Sequence, residues 1–278
     1  MSLKMPSSNY LGHVSRTDHL QVLPLVVAHR GSNEFEPEHS LAAYLRAVGE
    51  GADAIECDVR LTADGTLVCV HDRGIGRTSN GVGSVSAMRL KDLLRFDFSD
   101  STSSWQGTAS ALDARRSVLT LRVLLASMLD ASSTIQFSIE TKHPTRYGGY
   151  VEKALVDDLH YFGLVPATGA PSRVRVMSFS AMAMRRMAGL APTLPTVFLM
   201  DRISPARRGG SLPGNARIAG ISIASLEKWP EYVAAIHARH GEVHVWTVNE
   251  PQQVELCRSL GVDAIISDRP GMVRELLR

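Results

Sequence analysis

Residues 60–72 read RLTADGTLVCVHD, and this stretch decides how the strands of the whole chain are counted. The run AIECDV (54–59) leads into it and TLVCVH (66–71) lies within it; both have the β-branched and apolar content of strands. The few residues between them hold Asp64-Gly65, a hairpin turn signal. A parallel crossover needs a dozen residues or more, so the two runs are predicted to be antiparallel neighbours.

Seven further runs read as strands: LVVAH (25–29), IQFSIET (135–141), VRVMSF (174–179), TVFLM (196–200), AGISIA (219–224), VHVWTV (243–248) and AIIS (264–267). Several are apolar on both faces, as in a covered parallel sheet. Helical patterns lie between most of them, among them SLAAYLRAVGEG (40–51), TLRVLLASMLD (120–130), YVEKALVDDLHYF (150–162) and EPQQVELCRSLG (250–261). Alternation of this kind points to an α/β barrel or a doubly wound sheet. Removing the returning hairpin arm from nine runs leaves the eight of a barrel. Neither a GxGxxG after the first strand nor a P-loop is found, which counts against a Rossmann-type sheet.

One segment breaks the rhythm. From Asp72 to about Ser117 the chain is rich in Gly, Ser, Thr and Asp, with a short helix predicted around Met88 to Phe96. It is long for a plain loop and reads as a small inserted subdomain over the barrel mouth or a partly mobile lid. Trp105 within it is either a lid anchor or a local packing residue.

With 278 residues, 44% hydrophobic and 21% charged, the chain has the proportions of a globular protein. A net charge of +2, and no basic run interleaved with aromatics, exclude the footprint of a nucleic-acid binder. The three cysteines, Cys57, Cys69 and Cys257, form no CxxC pair, which argues against a disulfide framework or a structural zinc site and for a reducing compartment. With no signal-peptide core and no apolar run of eighteen residues, a cytoplasmic protein without stable membrane insertion is expected. Residues 1–21 are set apart as an N-terminal extension that vector-derived residues could open, and residues 22–278 are taken as one domain with its insert at about 72–117.

In ECDV, Glu56 and Asp58 are two apart on a strand, so both carboxylates face one way and Cys57 the other. In SIETK, Glu140 and Lys142 share a face by the same rule. Three carboxylates from two strands suit a hard divalent cation, Mg²⁺ or Ca²⁺, better than zinc. Spacing alone leaves open a plain ion-pair network in which Arg30 and Lys142 neutralise the acids. His29 and His71 each close an apolar run beside these carboxylates; two such histidines favour an acid/base pair over packing residues. Trp246, within a strand run, and Phe179, at the end of one, are each either a core filler or a pocket residue, with Phe179 read as core over pocket.

The motifs HRG (29–31), PEHS (37–40), ECDV (56–59), TADGTLVCVHD (62–72), RTSNGVGSV (77–85), ETKHP (140–144), VWTVNEP (245–251) and ISDRP (266–270) together resemble the ordered motifs of the glycerophosphodiester phosphodiesterases. The likeness runs from about residue 25 to the C-terminus. It implies a (β/α)₈ TIM barrel with an inserted segment after the second catalytic histidine, in agreement with the strand count. It also implies that His29 and His71 are the catalytic pair, that Glu56, Asp58 and Glu140 hold the metal, that Arg30 and Lys142 hold the phosphate, and that Trp246 is a pocket residue over a core filler. Two departures stand out: His39 and Ser40 where the family often has Asn and Thr, and Arg122 and Val123 where acids are common.

The implied activity is metal-dependent hydrolysis of a small glycerophosphodiester to an alcohol and glycerol 3-phosphate. His71 is expected as general acid toward the leaving alcohol and His29 as base, with either water or the glycerol 2-hydroxyl as the attacking group. A neutral and a protonated imidazole working together predict a bell-shaped pH profile. The alternatives are a phospholipase D-like enzyme acting on lysophospholipids or sphingolipids, and a silent barrel that only binds phosphodiesters. Oligomeric state is not written in the chain.

Overall fold

The computed structural model of the chain describes residues 23–99 and 116–278, so Trp105 and much of the polar segment lie outside the described residues. All nine expected strands form. They are β1 Leu25–His29, β2 Ala54–Leu61, β3 Leu67–Cys69, β4 Gln136–Thr141, β5 Val174–Ser178, β6 Thr196–Met200, β7 Ile218–Ser222, β8 Glu242–Trp246 and β9 Ala264–Ser267. Eight of them pair in parallel, and β1 bonds both β2 and β9, which closes the barrel. The remaining strand, β3, runs antiparallel to β2 with Val59 opposite Cys69 and Leu61 opposite Leu67, as the Asp64-Gly65 turn predicts. Gly65 has φ +83°, a conformation that L side chains rarely adopt.

The register explains why β3 fits there. β1 stops at His29, level with Glu56, so the edge of β2 beyond Glu56 has lost its neighbour on that side. β3 takes up that edge, and Val70 N–H extends the contact by donating to the Asp58 carbonyl at 3.0 Å. An unpaired strand edge inside a fold would leave backbone groups unsatisfied.

Among the described residues the helices are α1 Leu41–Gly49, the short α2 Leu90–Leu93, α3 Leu121–Ala131, α4 Tyr150–Tyr161, α5 Ala181–Leu190, α6 Ile223–Lys228, α7 Tyr232–His237, α8 Pro251–Leu260 and α9 Pro270–Leu276. Ser40, Thr120 and Ser180 cap α1, α3 and α5 by accepting from Ala43, Val123 and Ala183 N–H. β7 ends two residues before AGISIA does, because the Ser222 hydroxyl caps α6 instead. Two large apolar clusters fill the space between sheet and helices, and a third, with Val27, Met177, Val197, Leu199 and Ile266, fills the barrel. After β3 the chain builds a small core of its own from Ile75, Val85, Leu93 and Phe98 against Val68, Val70 and Val118. Among the described residues no helix is long and apolar enough to cross a membrane.

Candidate active site

Every inward position at the C-terminal end of β1, β2 and β4 is polar, and the register stacks them. His29 is level with Glu56, and Asp58 is level with Glu140. The nine residues singled out in the sequence, His29, Arg30, Glu56, Asp58, His71, Glu140, Lys142, Phe179 and Trp246, all line one cavity of about 310 Å³. Phe179, expected in the core, is instead 40% exposed and packs edge-on against Trp246, ring centroids 5.6 Å apart. Met177, Leu199 and Ile266 complete an apolar wall on that side.

Glu56, Asp58 and Glu140 are buried, and one oxygen of each lies within 4.8 Å of the others. Burial, then the Asp58 charge, pushes Glu56 well above the carboxylate range and holds Glu140 up at about 8. Asp58 goes the other way: burial pulls it up, but the His39 hydrogen bond and the charges of Lys142 and Arg30 outweigh that and hold it well below. An all-oxygen donor set that crowds negative charge in a dry site fits a hard divalent cation, and the three carboxylates would hold it.

The basic residues face the same acids. Lys142 Nζ lies 3.0 Å from Glu140 Oε1 and 3.2 Å from Asp58 Oδ1. Arg30 Nε is 3.2 Å from Asp58 Oδ2 but not aligned for a hydrogen bond, while its Nη1 donates to Glu38 at 3.3 Å. Both the cation site and the ion-pair network foreseen from spacing are therefore built from the same residues. Arg30 sits at φ +56°, an uncommon region for a side-chain-bearing residue, held by its N–H on Glu56 Oε2 at 3.1 Å and by His39 N–H on its carbonyl at 3.0 Å. The next residue must be glycine: at Gly31, φ +92°, a Cβ would stand 2.6 Å from the Ala43 Cβ.

Each histidine is held from behind by a carboxylate that residue-type reasoning passed over. Asp268 Oδ1 is 2.6 Å from His29 Nδ1 and also accepts from Asn33, while its Oδ2 accepts from Asn249. Burial raises Asp268, yet the His29, Asn249 and Asn33 contacts prevail and bring it down to about 2. His71 Nδ1 is 2.6 Å from Asp72 Oδ1, and Arg77 ties Asp72 to Glu38. In both cases Nδ1 donates, which leaves Nε2 for chemistry. Burial pushes the His71 pKa down. The signal for Asp268 was present in AIISD, where Ala264, Ile266 and Asp268 fall on one strand face.

The His39 departure is also explained. Its ring is buried, Nε2 donates to Asp58 at 3.0 Å, and Nδ1 lies 2.8 Å from the Tyr44 hydroxyl. It anchors one of the acids. Arg122, the other departure, pairs on the surface with Asp158 at 2.6 Å.

Comparison with known proteins gives the same direction. The profile of the Glycerophosphoryl diester phosphodiesterase family matches residues 29–272. A curated protein of Mycobacterium tuberculosis H37Rv named "Probable glycerophosphodiester phosphodiesterase 1" is 43% identical over 255 residues, covering 91% of this chain and 92% of its own. The glycerophosphodiester phosphodiesterase of Bacillus subtilis is 30% identical over 261 residues, covering 91% and 86%. Among solved structures, an Oleispira antarctica phosphodiesterase in complex with the product sn-glycerol-3-phosphate shares the fold with a TM-score of 0.76 at 24% identity, covering 92% of this chain and 97% of that one. The chain belongs to the glycerophosphoryl diester phosphodiesterase family.

Proposed function

We propose that this enzyme hydrolyses small glycerophosphodiesters to an alcohol and glycerol 3-phosphate, with one bound Mg²⁺ or Ca²⁺. The observation that carries the reading is the meeting, in one cavity, of a buried carboxylate triad, two cations and two carboxylate-backed histidines. A bound cation would favour the ionised form of all three carboxylates, and the charges −3, +2 for the cation and +2 for Arg30 and Lys142 then sum to +1, which one phosphodiester charge neutralises. Glu56, Asp58 and Glu140 would hold the cation, which would supply stabilisation of negative charge on the phosphate.

The chain's own residues do the rest. Arg30 and Lys142 bind the phosphate and stabilise negative charge as it grows on the phosphoryl oxygens. His29 Nε2, its ring fixed by Asp268, takes the proton of the attacking hydroxyl. His71 Nε2, its ring fixed by Asp72, gives a proton to the leaving alkoxide, which is otherwise a poor leaving group. The negative phosphodiester favours the protonated His71 that this role requires, against the lowering caused by burial.

We assign residues 22–278 to one catalytic domain carrying an insert at about 72–117. The cysteines among the described residues are buried and unbonded, which supports a reducing compartment and a cytoplasmic enzyme.

The test is release of glycerol 3-phosphate from glycerophosphocholine and glycerophosphoethanolamine with Mg²⁺, with Ca²⁺ and with a chelator. Turnover that the chelator abolishes and one of the two ions restores is the expected result. Binding of the ion without turnover of either diester would overturn the assignment to these substrates and move it to lipid diesters.

A further inference from the structure

Beyond Lys142 the rim of the mouth carries positive charge that the reaction does not use. On β2 the inward series Glu56, Asp58 continues to Arg60, and on β4 Glu140 continues to Lys142. The acidic rung of the site is thus followed, one rung further out, by a basic one. Arg60, Lys142, Arg73 and Arg146, with Ser86 and Thr145, line a small concavity of about 20 Å³ beside the catalytic cavity, so a ligand group would rest on it rather than inside it. Lys142 belongs to both.

Among the described residues the three arginines have no carboxylate partner. Arg60 gives Nε and Nη2 to the His71 carbonyl at 2.9 and 2.7 Å, and Arg146 lies 5.9 Å from the Tyr147 ring. Asp72, next to Arg73 in the chain, is already held by His71 and Arg77. Asp58, Glu140 and Asp72 offset part of the charge at Arg60, but Arg73 and Arg146 have no ion pair among the described residues, and a planar fork of donors suits phosphate oxygens. The concavity is also held in shape: the Tyr147 hydroxyl donates to the Ser86 carbonyl at 2.7 Å and joins its two walls.

Its position decides what it would meet. Arg60 grips the backbone of His71, the residue assigned to protonate the leaving alcohol, so the concavity begins on the leaving-group side. The same cavity also carries the apolar wall of Phe179, Trp246 and Met177, which starts beside Lys142, its Nζ 5.9 Å from the Phe179 ring. We infer that the enzyme prefers glycerophosphodiesters whose alcohol half carries a second phosphate, seated against Arg60, Arg73 and Arg146. A phosphate monoester brings about −1.5 to −2 charges to the free forks of Arg73 and Arg146 and the remaining donor of Arg60. This inference rests on the proposed diesterase reaction and on the role given to His71.

The test compares glycerophosphoinositol with glycerophosphoinositol 4-phosphate, two substrates that differ by the second phosphate alone. The expected result is a kcat/KM ratio of about ten or more in favour of the phosphorylated diester, the size of one or two charge-assisted contacts. The ratio should fall toward one in the double variant Arg73→Gln, Arg146→Gln, and should shrink with added salt. Arg239→Gln, an exposed arginine before β8 at the other end of the barrel, controls for lost charge and should leave the ratio as it is. Equal turnover of the two diesters overturns the inference and leaves the reaction standing. No turnover of either, nor of glycerophosphocholine, overturns the reaction and the inference with it.

Discussion

The mouth of the barrel is divided between two kinds of wall. On the side of β1, β2 and β4 stand His29, Glu56, Asp58, Glu140 and Lys142, each within hydrogen-bond or ion-pair distance of a neighbour. On the side of β5, β6, β8 and β9 stand Met177, Phe179, Leu199, Trp246 and Ile266, which touch by dispersion. Directional contacts fail steeply when a partner is lost, because a buried charge is then left uncompensated. Apolar contacts lose affinity in proportion to the area removed. The two walls should therefore answer mutation on very different scales.

The largest effect is expected at the carboxylates. Glu56→Gln keeps an oxygen for the Arg30 N–H but removes a charge from the triad. Turnover should fall by about a thousandfold or more. Calorimetry should show weakened Mg²⁺ binding in a protein that still unfolds cooperatively. Turnover within tenfold of the parent would mean that the triad is an ion-pair network and not a cation site.

His71→Ala comes next, with an expected loss of about 10²- to 10⁴-fold on a diester with an alkyl leaving group. A p-nitrophenyl ester of glycerol 3-phosphate needs no proton on departure, so the loss there should be much smaller. Equal losses on both substrates would remove His71 from the acid role. This comparison separates proton donation from general damage to the charged wall.

How much of this was legible in the chain depends on which physical rule was at work. Period-two alternation placed Glu56 with Asp58 and Glu140 with Lys142, since a strand fixes side-chain direction by sequence spacing alone. The Asp64-Gly65 turn fixed the antiparallel place of β3 and through it the strand count. Asp268 was harder to see because its partner His29 lies 239 positions away, and only barrel closure through β1 and β9 brings them together. Helix α5 carries a weak signal because MAMRRMAG mixes methionines with arginines, although Ala183, Met184 and Met187 form a buried helical stripe. The exposure of Phe179 was likewise hidden: a strand-end aromatic looks the same in sequence whether a helix covers it or a cavity opens beside it.

Asp268→Asn tests the long-range part of the charged wall. The amide can keep an acceptor but cannot stabilise a charged imidazole, so kcat should fall by about ten- to a hundredfold or more. Stability should change with a definite sign. Asp268 is brought down from 3.8 to about 2 on folding, so its contribution is present above about pH 4 and is lost as pH falls toward 2. The variant should be less stable than the parent by about 2 kcal/mol at neutral pH, and the gap should close between pH 4 and pH 2. A gap that persists at pH 2 in denaturant titrations would show that packing, not charge, accounts for the loss.

The smallest effects belong to the apolar wall, and they decide whether the division holds. Trp246→Phe keeps an aromatic face but removes part of its area, and it loses an indole N–H that has no partner among the described residues. An interaction made equally with substrate and transition state changes KM and leaves kcat alone. KM should rise about three- to tenfold, a loss of roughly 1 kcal/mol of contact. Phe179→Leu should do less, about two- to threefold, since it removes mainly the edge-on contact with Trp246. Steady-state kinetics would reverse the argument if Trp246→Phe lowered kcat a hundredfold with KM unchanged, because a group that acts only in the transition state belongs with the charged wall.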